Sequence, residues 1–384
     1  MAPSRDLALV IGTASIVGTT ISLSMPLLSL VLERHGFDAG LIGLNAMASG
    51  LGIFLVAPMM GPLLRRFGPR PAAAGGMVVA AAAVLALPLE IAFLPWFGLR
   101  ILVSAGTAVV FVVSEAAINA LVSEERRGRV LGIYATVFSV GYAAGPLLVA
   151  AIGSSGLLPF LLTAALFAAG IPPLLAARGL DRALTGSGPR PGIGAFFGIL
   201  RRAPLPLFAI FCFGIVETAQ FALFPVYGLS TGHPERLVGL MLAVWITGNI
   251  LLQYPVGWLA DRLPRIMVLA LVAALAAATH FLLPATIRDG LLVWPLLLLM
   301  GGATGAIYTL GLVLIGQRFS GFELALANTV FVMLIEAGML VGPGTAGFAM
   351  RIFGPQGLPV FSGLVLLLLA AGAAATAVRR DRGA

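Results

Sequence analysis

The chain has 384 residues, of which 60 % are hydrophobic and only 10 % are charged. An ordinary soluble protein is about 25 % charged, so this sequence has too little polar surface to coat a water-soluble domain. Mean hydropathy is +1.06, and the apolar residues form runs of roughly 20, the length that a helix needs to cross a bilayer. Composition therefore predicts a polytopic membrane protein.

The residue types also exclude several kinds of site. Cys212 is the single cysteine, so no disulfide can form within the chain, and the histidines form no cluster with metal-ligand spacing. All basic residues are arginine, and they are scattered over short loops between apolar runs. This pattern is typical of membrane topology signals and argues against a nucleic-acid partner. We expect no metal and no organic cofactor.

Apolar runs of helical length follow one another along the whole chain. Backbone groups in lipid must be hydrogen-bonded within their own segment, so each run is predicted to be a helix. The fold class is therefore an all-α membrane protein with twelve transmembrane helices. The predicted spans are residues 7–32, 41–63, 71–93, 97–121, 130–153, 157–177, 205–229, 237–260, 266–285, 290–316, 324–350 and 357–378.

The distribution of arginine predicts the orientation. When loops are assigned alternately to two sides, one side carries 18 arginines and the other carries 4, with Arg100 inside a span. The arginine-rich side of such a protein faces the cytoplasm. Both termini are therefore predicted to be cytoplasmic, in the inner membrane of a bacterium.

The longest polar interruption lies at mid-chain and suggests the domain organisation. Residues 178–204 contain a Gly/Pro-rich stretch followed by a short amphipathic segment. We interpret this region as a cytoplasmic linker between a six-helix bundle at 1–177 and a second one at 205–384.

An internal repeat supports that division. A GxxxGP pattern occurs in spans 5 and 11 at an offset of 197 residues, and two glycine-arginine loops follow spans 2 and 8 at an offset of 196. Glycines four residues apart let helices approach closely, so the first pattern predicts tight packing at the interface of the two halves. The residues of the GxxxGP pattern are Gly141, Gly145, Pro146, Gly338, Gly342 and Pro343.

Over its whole length the chain resembles the major facilitator superfamily of transporters. The loop from Gly257 through Asp261 and Arg262 is close to the family's Gly-x-Leu-x-Asp-Arg motif. Its counterpart at Gly61 has Arg65 in place of the aspartate. The resemblance implies two pseudo-symmetric six-helix bundles that alternate access to a central site, with these loops contributing to gating.

Two further matches refine the resemblance. Arg100 and the residues after it in span 4 resemble the family's arginine-centred motif, with Ser104 in place of a glycine. The GxxxGP pattern of span 5 resembles the antiporter-associated motif but has Val149 and Ala150 where that motif has two glycines. The resemblance implies a branch like the drug/proton antiporters, and hence export.

Two carboxylic acids lie at the middle of predicted spans. Glu217 is central in span 7 and Glu336 is central in span 11, and neither has a basic residue at matching depth in its own half. An ionisable group inside a membrane is costly unless it is paired, protonated or in contact with water. Both residues are therefore candidates for proton coupling. The alternative is a permanently neutral acid that bonds to a neighbouring helix.

Other polar residues at mid-depth are candidates for a substrate cavity, although such groups often only bridge helices. They are Gln220, Asn249, Gln253, Tyr142, Thr19 and Thr20. Glu115 and Asn119 share a face near the cytoplasmic end of span 4, where an ion pair with a loop arginine would form part of a gate. Arg100 lies near the outer end of the same span, where it is expected to extend toward the membrane surface with Glu90 as a partner.

These features predict a monomeric transporter in membrane lipid that is not an enzyme, is driven by protons and exports a small organic solute. No GxxxxGK nucleotide-binding loop occurs in the sequence, which excludes an ATP-driven pump. A proton-coupled importer of sugars or other nutrients is the alternative of the same class. A receptor or assembly factor built on a transporter scaffold is the alternative of another class, although it would have no use for two acids at the midplane.

Overall fold

The computed structural model describes residues 5–122, 124–183 and 193–383, and it is built from helices. Its α-helices are α1 (Arg5–Arg34), α2 (Ala39–Val56), α3 (Met60–Phe67), α4 (Pro69–Ala86), α5 (Phe93–Leu121), α6 (Glu124–Ile152), α7 (Leu158–Ala176), α8 (Gly179–Ala183), α9 (Ile193–Arg202), α10 (Pro204–Ser230), α11 (Glu235–Leu251), α12 (Gln253–Ala260), α13 (Arg265–Thr286), α14 (Val293–Arg318), α15 (Gly321–Phe353) and α16 (Gly357–Gly383).

Within the described residues, 12 segments are long and apolar enough to cross a membrane, which confirms the predicted fold class. Span 2 is formed by α2 and α3 together, and span 8 by α11 and α12. Span 3 is α4 followed by a 3-10 turn at Leu87–Leu89, and each remaining span lies within a single helix. The protein is therefore a multi-pass membrane protein.

Spans 2 and 8 are interrupted, which the sequence analysis did not anticipate. A single 3-10 turn, Ala57–Met59, separates α2 from α3, and Leu252 separates α11 from α12. Pro58 and Pro255 lie at these interruptions. Proline cannot donate a backbone hydrogen bond and crowds the preceding turn, so it ends or kinks a helix even in an apolar run. Hydropathy does not register this effect, because proline changes the backbone without adding charge.

The turn between spans 2 and 3 depends on one glycine. Gly68 has φ +80°, a conformation that side chains with a Cβ rarely adopt. Pro69 follows it as the first residue of α4. A backbone N–H at that position has no acceptor within the helix, so proline costs no hydrogen bond there. Gly68 and Pro69 together allow the chain to reverse within one residue.

The chain forms two compact units. The first comprises Met1–Phe37 and Ala48–Pro189. In it, α1 packs on α6 and α7, and α4 packs on α5 and α7. Val10, Met77 and Val113 are among the side chains that fill its core.

The second unit comprises Asp38–Met47 and Arg190–Ala384. Its central helix is α10, which packs on α14, α15 and α16. The first part of α2 belongs to this unit because Gly43 lies against the backbone of Pro343 and Gly347. The predicted domain bounds of 1–177, 178–204 and 205–384 stay a prediction.

Part of the predicted linker is a structured helix of the second unit. Residues 184–192 lie outside the described part of the chain, but α9 is amphipathic and buries Ile199 in the core of that unit. Arg202, at its end, donates to both carboxylate oxygens of Glu323 at 2.7 and 3.1 Å. The end of α9 is therefore tied to the start of α15.

Candidate functional site

Three polar side chains form a hydrogen-bonded chain inside the second unit. Glu217 lies on α10 and is only 6 % exposed. Its two carboxyl oxygens accept hydrogen bonds from the Asn249 side-chain amide at 3.3 and 3.2 Å. The Asn249 Oδ1 atom accepts a hydrogen bond from Gln253 Nε2 at 3.1 Å. With Gln220, these residues are called the acid–amide cluster below.

The interruption of span 8 places two members of this cluster. Asn249 lies in the last turn of α11, and Gln253 is the first residue of α12. A residue and the one four positions later face the same side of a helical segment. The short break at Leu252 keeps that register, so the Gln253 amide reaches Asn249 and holds it toward Glu217.

Glycines on α14 create the space that Asn249 occupies. A methyl group added at Gly305 would collide with the side chain and backbone of Asn249. One added at Gly301 would collide with the backbone of Trp245 on α11. These glycines are not among the site residues predicted from sequence. The signal that could have found them is the spacing of four between Gly301 and Gly305, which allows close helix packing.

Gln220 is the fourth member of the cluster and is 1 % exposed. Neither its amide nitrogen nor its carbonyl oxygen has a hydrogen-bond partner among the described residues. Buried polar groups in native proteins are nearly always satisfied, and leaving one unsatisfied costs about 1–3 kcal/mol. Gln220 therefore carries one donor group and one acceptor group that no described residue uses, and its role as a substrate ligand stays a prediction.

Glu217 has no positively charged partner within the part of the chain that the structure describes. Two ion pairs of the second unit join Arg202 to Glu323 and Arg265 to Asp261, both at the ends of spans. A carboxylate without a counter-charge is costly to bury, whereas the neutral acid is tolerated. The environment of Glu217 thus suits a group that gains and loses a proton.

The second predicted acid is in a different environment. Glu336 lies on α15 and is half-buried. Two residues later, Gly338 lies against the backbone of Phe211 and Ile215 on α10. The helices that carry Glu217 and Glu336 are therefore closely packed, and the proton-coupling role of Glu336 stays a prediction.

The cavity candidates of the first unit use their hydrogen-bond donors locally. Thr19 donates to the carbonyl of Ser15 at 3.0 Å, and Thr20 donates to that of Ile16 at 2.7 Å. Tyr142 stacks on Phe138 with ring centroids 5.8 Å apart. The structure thus brings Asn249 and Gln253 together with Glu217, whereas Thr19 and Thr20 bond within their own helix. The side chains of Glu115 and Asn119 lie outside the described part of the chain.

The GxxxGP glycines have their close partners inside their own unit. Gly141 and Gly145 on α6 lie against Ser15 and Ser22 on α1. Gly338 and Gly342 on α15 lie in the same way against α10. Packing between the two halves was expected from the pattern, but the contacts of these glycines join spans 1 and 5 and spans 7 and 11. Pro146 and Pro343 lie within continuous helices.

The gating candidates of the second unit interact mainly within their own loop. Asp261 has a side chain that is 74 % exposed and pairs with Arg265 at 3.6 Å. The Arg262 guanidinium lies over the Trp258 ring, 3.7 Å from its centroid. An exposed ion pair of this kind contributes little stability, about 0–1 kcal/mol. Gly257 lies on α12 and Gly61 on α3.

Arg100 is enclosed within the first unit and only 2 % exposed. The expectation that its side chain extends to the membrane surface is therefore wrong, because the helix packing surrounds it. Glu90, its expected partner, has an exposed position. Trp96, which the sequence analysis missed, is fully buried and donates to the carbonyls of Leu87 and Glu90 at 2.9 and 3.1 Å.

Comparison with known proteins places this architecture in one family. The sequence profile of the Major Facilitator Superfamily matches residues 10–302 and 207–384. The chain is 28 % identical to the uncharacterized MFS-type transporter YfkF of Bacillus subtilis (strain 168), over 92 % of this chain and 90 % of that protein. It is 26 % identical to the uncharacterized MFS-type transporter YcaD of Escherichia fergusonii, over 91 % and 90 %.

Solved structures share the fold at low sequence identity. The nucleoside transporter NupG superposes with a TM-score of 0.78 at 14 % identity, covering 97 % of this chain and 98 % of that one. A D-xylose-proton symporter superposes with a TM-score of 0.74 at 16 % identity, covering 96 % of each chain. The profile match spans both halves of the sequence, and the twelve helices agree with it. This chain belongs to the major facilitator superfamily and has its transporter fold.

Proposed function

We propose that this protein is a proton-coupled secondary transporter that exports a small polar organic solute across a bacterial inner membrane, with both termini in the cytoplasm. The observation that carries the proposal is the environment of Glu217, a buried carboxyl group whose hydrogen-bond partner is the neutral amide of Asn249. The arginine distribution supports the orientation. The resemblance of the span 5 motif to that of antiporters supports export.

Proton coupling follows from how the cluster responds to the charge of Glu217. The ionised carboxylate accepts both contacts from Asn249, whose own carbonyl is occupied by Gln253. The neutral acid has an O–H that needs an acceptor, but the Asn249 amide presents its nitrogen to the carboxyl group and its oxygen to Gln253. Gln220, three residues further along α10, supplies a carbonyl oxygen that no described residue uses. Protonation therefore redirects Glu217 from Asn249 toward the group that is offered to the solute.

This arrangement makes the proton and the solute competitors. A solute that binds both Gln220 and the ionised carboxylate is displaced when Glu217 takes up a proton and turns to Gln220. Two ligands that exclude each other at one site, on a protein that alternates its access, exchange across the membrane. Competition of this kind is the requirement for antiport, and reciprocity of the coupling follows from linkage.

The cluster favours a neutral or cationic solute with hydroxyl, amino or amide groups. Gln220 presents a donor and an acceptor, and Glu217 presents an acceptor that carries a negative charge when ionised. An anionic solute would be repelled by that carboxylate. The two neighbours in fold transport a nucleoside and D-xylose, which are neutral polar molecules of this kind.

Proton-coupled import is a second candidate, favoured by the likeness in fold to a D-xylose-proton symporter. In a symporter the solute binds the protonated carrier, so its affinity rises as pH falls. In the proposed antiporter its affinity rises as pH rises. The sign of this pH dependence decides between the two.

The experiment is solute-driven proton flux in proteoliposomes that contain the purified protein and an entrapped pH indicator. A panel of nucleosides, pentoses and organic cations is added outside, and Glu217→Gln is compared with the wild type. Glu90→Gln is the matched control, because Glu90 is an exposed acid at the end of a span. We expect one class of solute to drive proton flux in the wild type and the control but not in Glu217→Gln. Flux of equal size in Glu217→Gln would refute the role of Glu217.

A further inference from the structure

Two adjoining clefts lie at one end of the second unit, outside the acid–amide cluster. The first has a volume of about 420 Å³ and contains Arg262 and Arg265. The second has a volume of about 530 Å³ and contains Arg201 and Arg318. Ile266, Leu314 and Gln317 line both, so the two clefts share a wall. We call them the arginine clefts.

The charge of the clefts is positive. Asp261 is the acid that lines the first cleft, and it pairs with Arg265. Among the described residues, no acid lines the second cleft, and no carboxylate forms an ion pair with Arg201 or Arg318. The neighbouring Arg202 is different, because Glu323 neutralises it and it does not line either cleft. The lining of the two clefts therefore contains four arginines and one carboxylate.

Two long helices begin at these clefts and add to the positive potential. Pro204 and Leu205 at the start of α10 line the second cleft, and Arg265 at the start of α13 lines the first. The N-terminal end of a helix carries a partial positive charge of about half a unit and favours anions. Arginine adds planar donors that match phosphate oxygens in pairs.

The wall that the two clefts share is apolar. A small free anion would make no use of apolar contacts. Leu314 and Ile266 form it, and Met267, which lines the first cleft, is exposed. All these residues lie at the ends of apolar spans, where acyl chains meet water. Basic pockets between membrane helices at this level are suited to the headgroups of anionic lipids. The combination of arginine pairs with an apolar wall matches a phosphate that carries acyl chains.

We propose that the arginine clefts bind an anionic phospholipid with two phosphate groups, of the diphosphatidylglycerol type. One phosphate lies between Arg201 and Arg318, and the other lies at Arg262 and Arg265. The glycerol link passes Gln317, and the acyl chains run along the apolar wall into the bilayer. The proposal does not rest on the acid–amide cluster or on proton coupling.

The test is lipid binding to the purified full-length protein, measured by native mass spectrometry and by the shift in thermal unfolding temperature. The probes are diphosphatidylglycerol, phosphatidylglycerol and inorganic phosphate. The variants are Arg201→Gln with Arg318→Gln, and Arg262→Gln with Arg265→Gln. The matched control is Arg236→Gln with Arg288→Gln, which removes two exposed arginines from the opposite ends of the spans.

We expect diphosphatidylglycerol to bind about tenfold more tightly than phosphatidylglycerol, and each cleft variant to lose about tenfold in affinity, which is the effect of losing about 1.4 kcal/mol of phosphate contacts. The control variant should bind as the wild type does. The proposal is overturned if the control loses as much affinity as the cleft variants or if both cleft variants bind normally. Inorganic phosphate that displaces the lipid at millimolar concentration would show a site for small anions and would overturn the assignment to a lipid. Circular dichroism of each variant checks that its helices are intact.

Discussion

Asn249 donates its side-chain amide to both carboxyl oxygens of Glu217, at 3.3 and 3.2 Å, and thereby joins α11 to α10 inside the second unit. This contact connects two observations about the chain. Glu217 is an acid without a charged partner among the described residues, and span 8 is interrupted at Leu252, three residues after Asn249. The interruption therefore positions the Asn249 amide, whose hydrogen bonds to Glu217 depend on the charge of that carboxyl group.

The contact predicts a coupled effect on stability. Asn249→Ala leaves the Glu217 carboxyl buried without its donor, and the free energy of unfolding should fall by about 1–3 kcal/mol. Once Glu217→Gln is present, Asn249→Ala should cost less, because no charged acceptor remains. A double-mutant cycle measured by thermal unfolding in detergent gives this coupling directly. Strictly additive losses would show that the two side chains do not interact.

Gly305 is predicted to be essential for a reason unrelated to helix propensity. Gly305→Ala places a methyl group against Asn249, and we expect it to abolish solute-driven proton flux and lower the unfolding temperature. Gly316→Ala is the matched control on the same helix, because an added methyl group meets no atom within 4 Å there. The control should be neutral or more stable by about 0.5–1 kcal/mol. Equal effects at the two positions would contradict the packing described for α14.

The ion pair between Arg202 and Glu323 predicts a dependence of stability on pH. The hydrogen bonds from Arg202 lower the pKa of the Glu323 carboxyl below its usual value. A carboxyl group with a lowered pKa in the folded state stabilises the fold above its unfolded pKa of about 4.3 and loses that contribution as pH falls. Glu323→Gln should therefore lower the unfolding temperature at pH 7 but not at pH values below the folded pKa. If the unfolding temperature falls by the same amount at both pH values, the cause is lost packing and not the loss of the ion pair.

The arginine distribution predicts the topology. Reporter fusions after Ala384 and within residues 185–191 should give a cytoplasmic signal, and a fusion near Gly232 should give an external signal. Gly232 lies in the turn between α10 and α11, so a fusion there interrupts no helix. A cytoplasmic signal at Gly232 would contradict the proposed orientation.

Much of the fold is predictable from sequence because membrane burial imposes simple requirements on it. Length and hydropathy suffice to predict the twelve spans, since every backbone polar group in lipid must be hydrogen-bonded within its own helix. Hydropathy does not detect the breaks at Pro58 and Pro255, although a proline in an apolar run indicates a possible break. Glu217 stands out because a charge in an apolar run is rare.

The partners of that acid are less predictable. The register across the break in span 8 determines that Asn249 and Gln253 lie next to each other. Gly305, which lies on another helix, leaves the space that Asn249 occupies. The burial of Arg100 has a similar cause, because enclosure depends on neighbouring helices and not on position along a span. Local sequence shows that a residue is unusual, whereas tertiary packing decides which residue it contacts.

The most direct test of the central claim is the affinity of the purified protein for its solute, measured between pH 6 and 9 for the wild type and for Glu217→Gln. If one proton at Glu217 competes with the solute, wild-type affinity should rise with pH by roughly tenfold per unit below the carboxyl pKa and then level off. Glu217→Gln should bind with an affinity that is nearly independent of pH. An unchanged pH dependence in Glu217→Gln would contradict the account, because another group would then carry the proton.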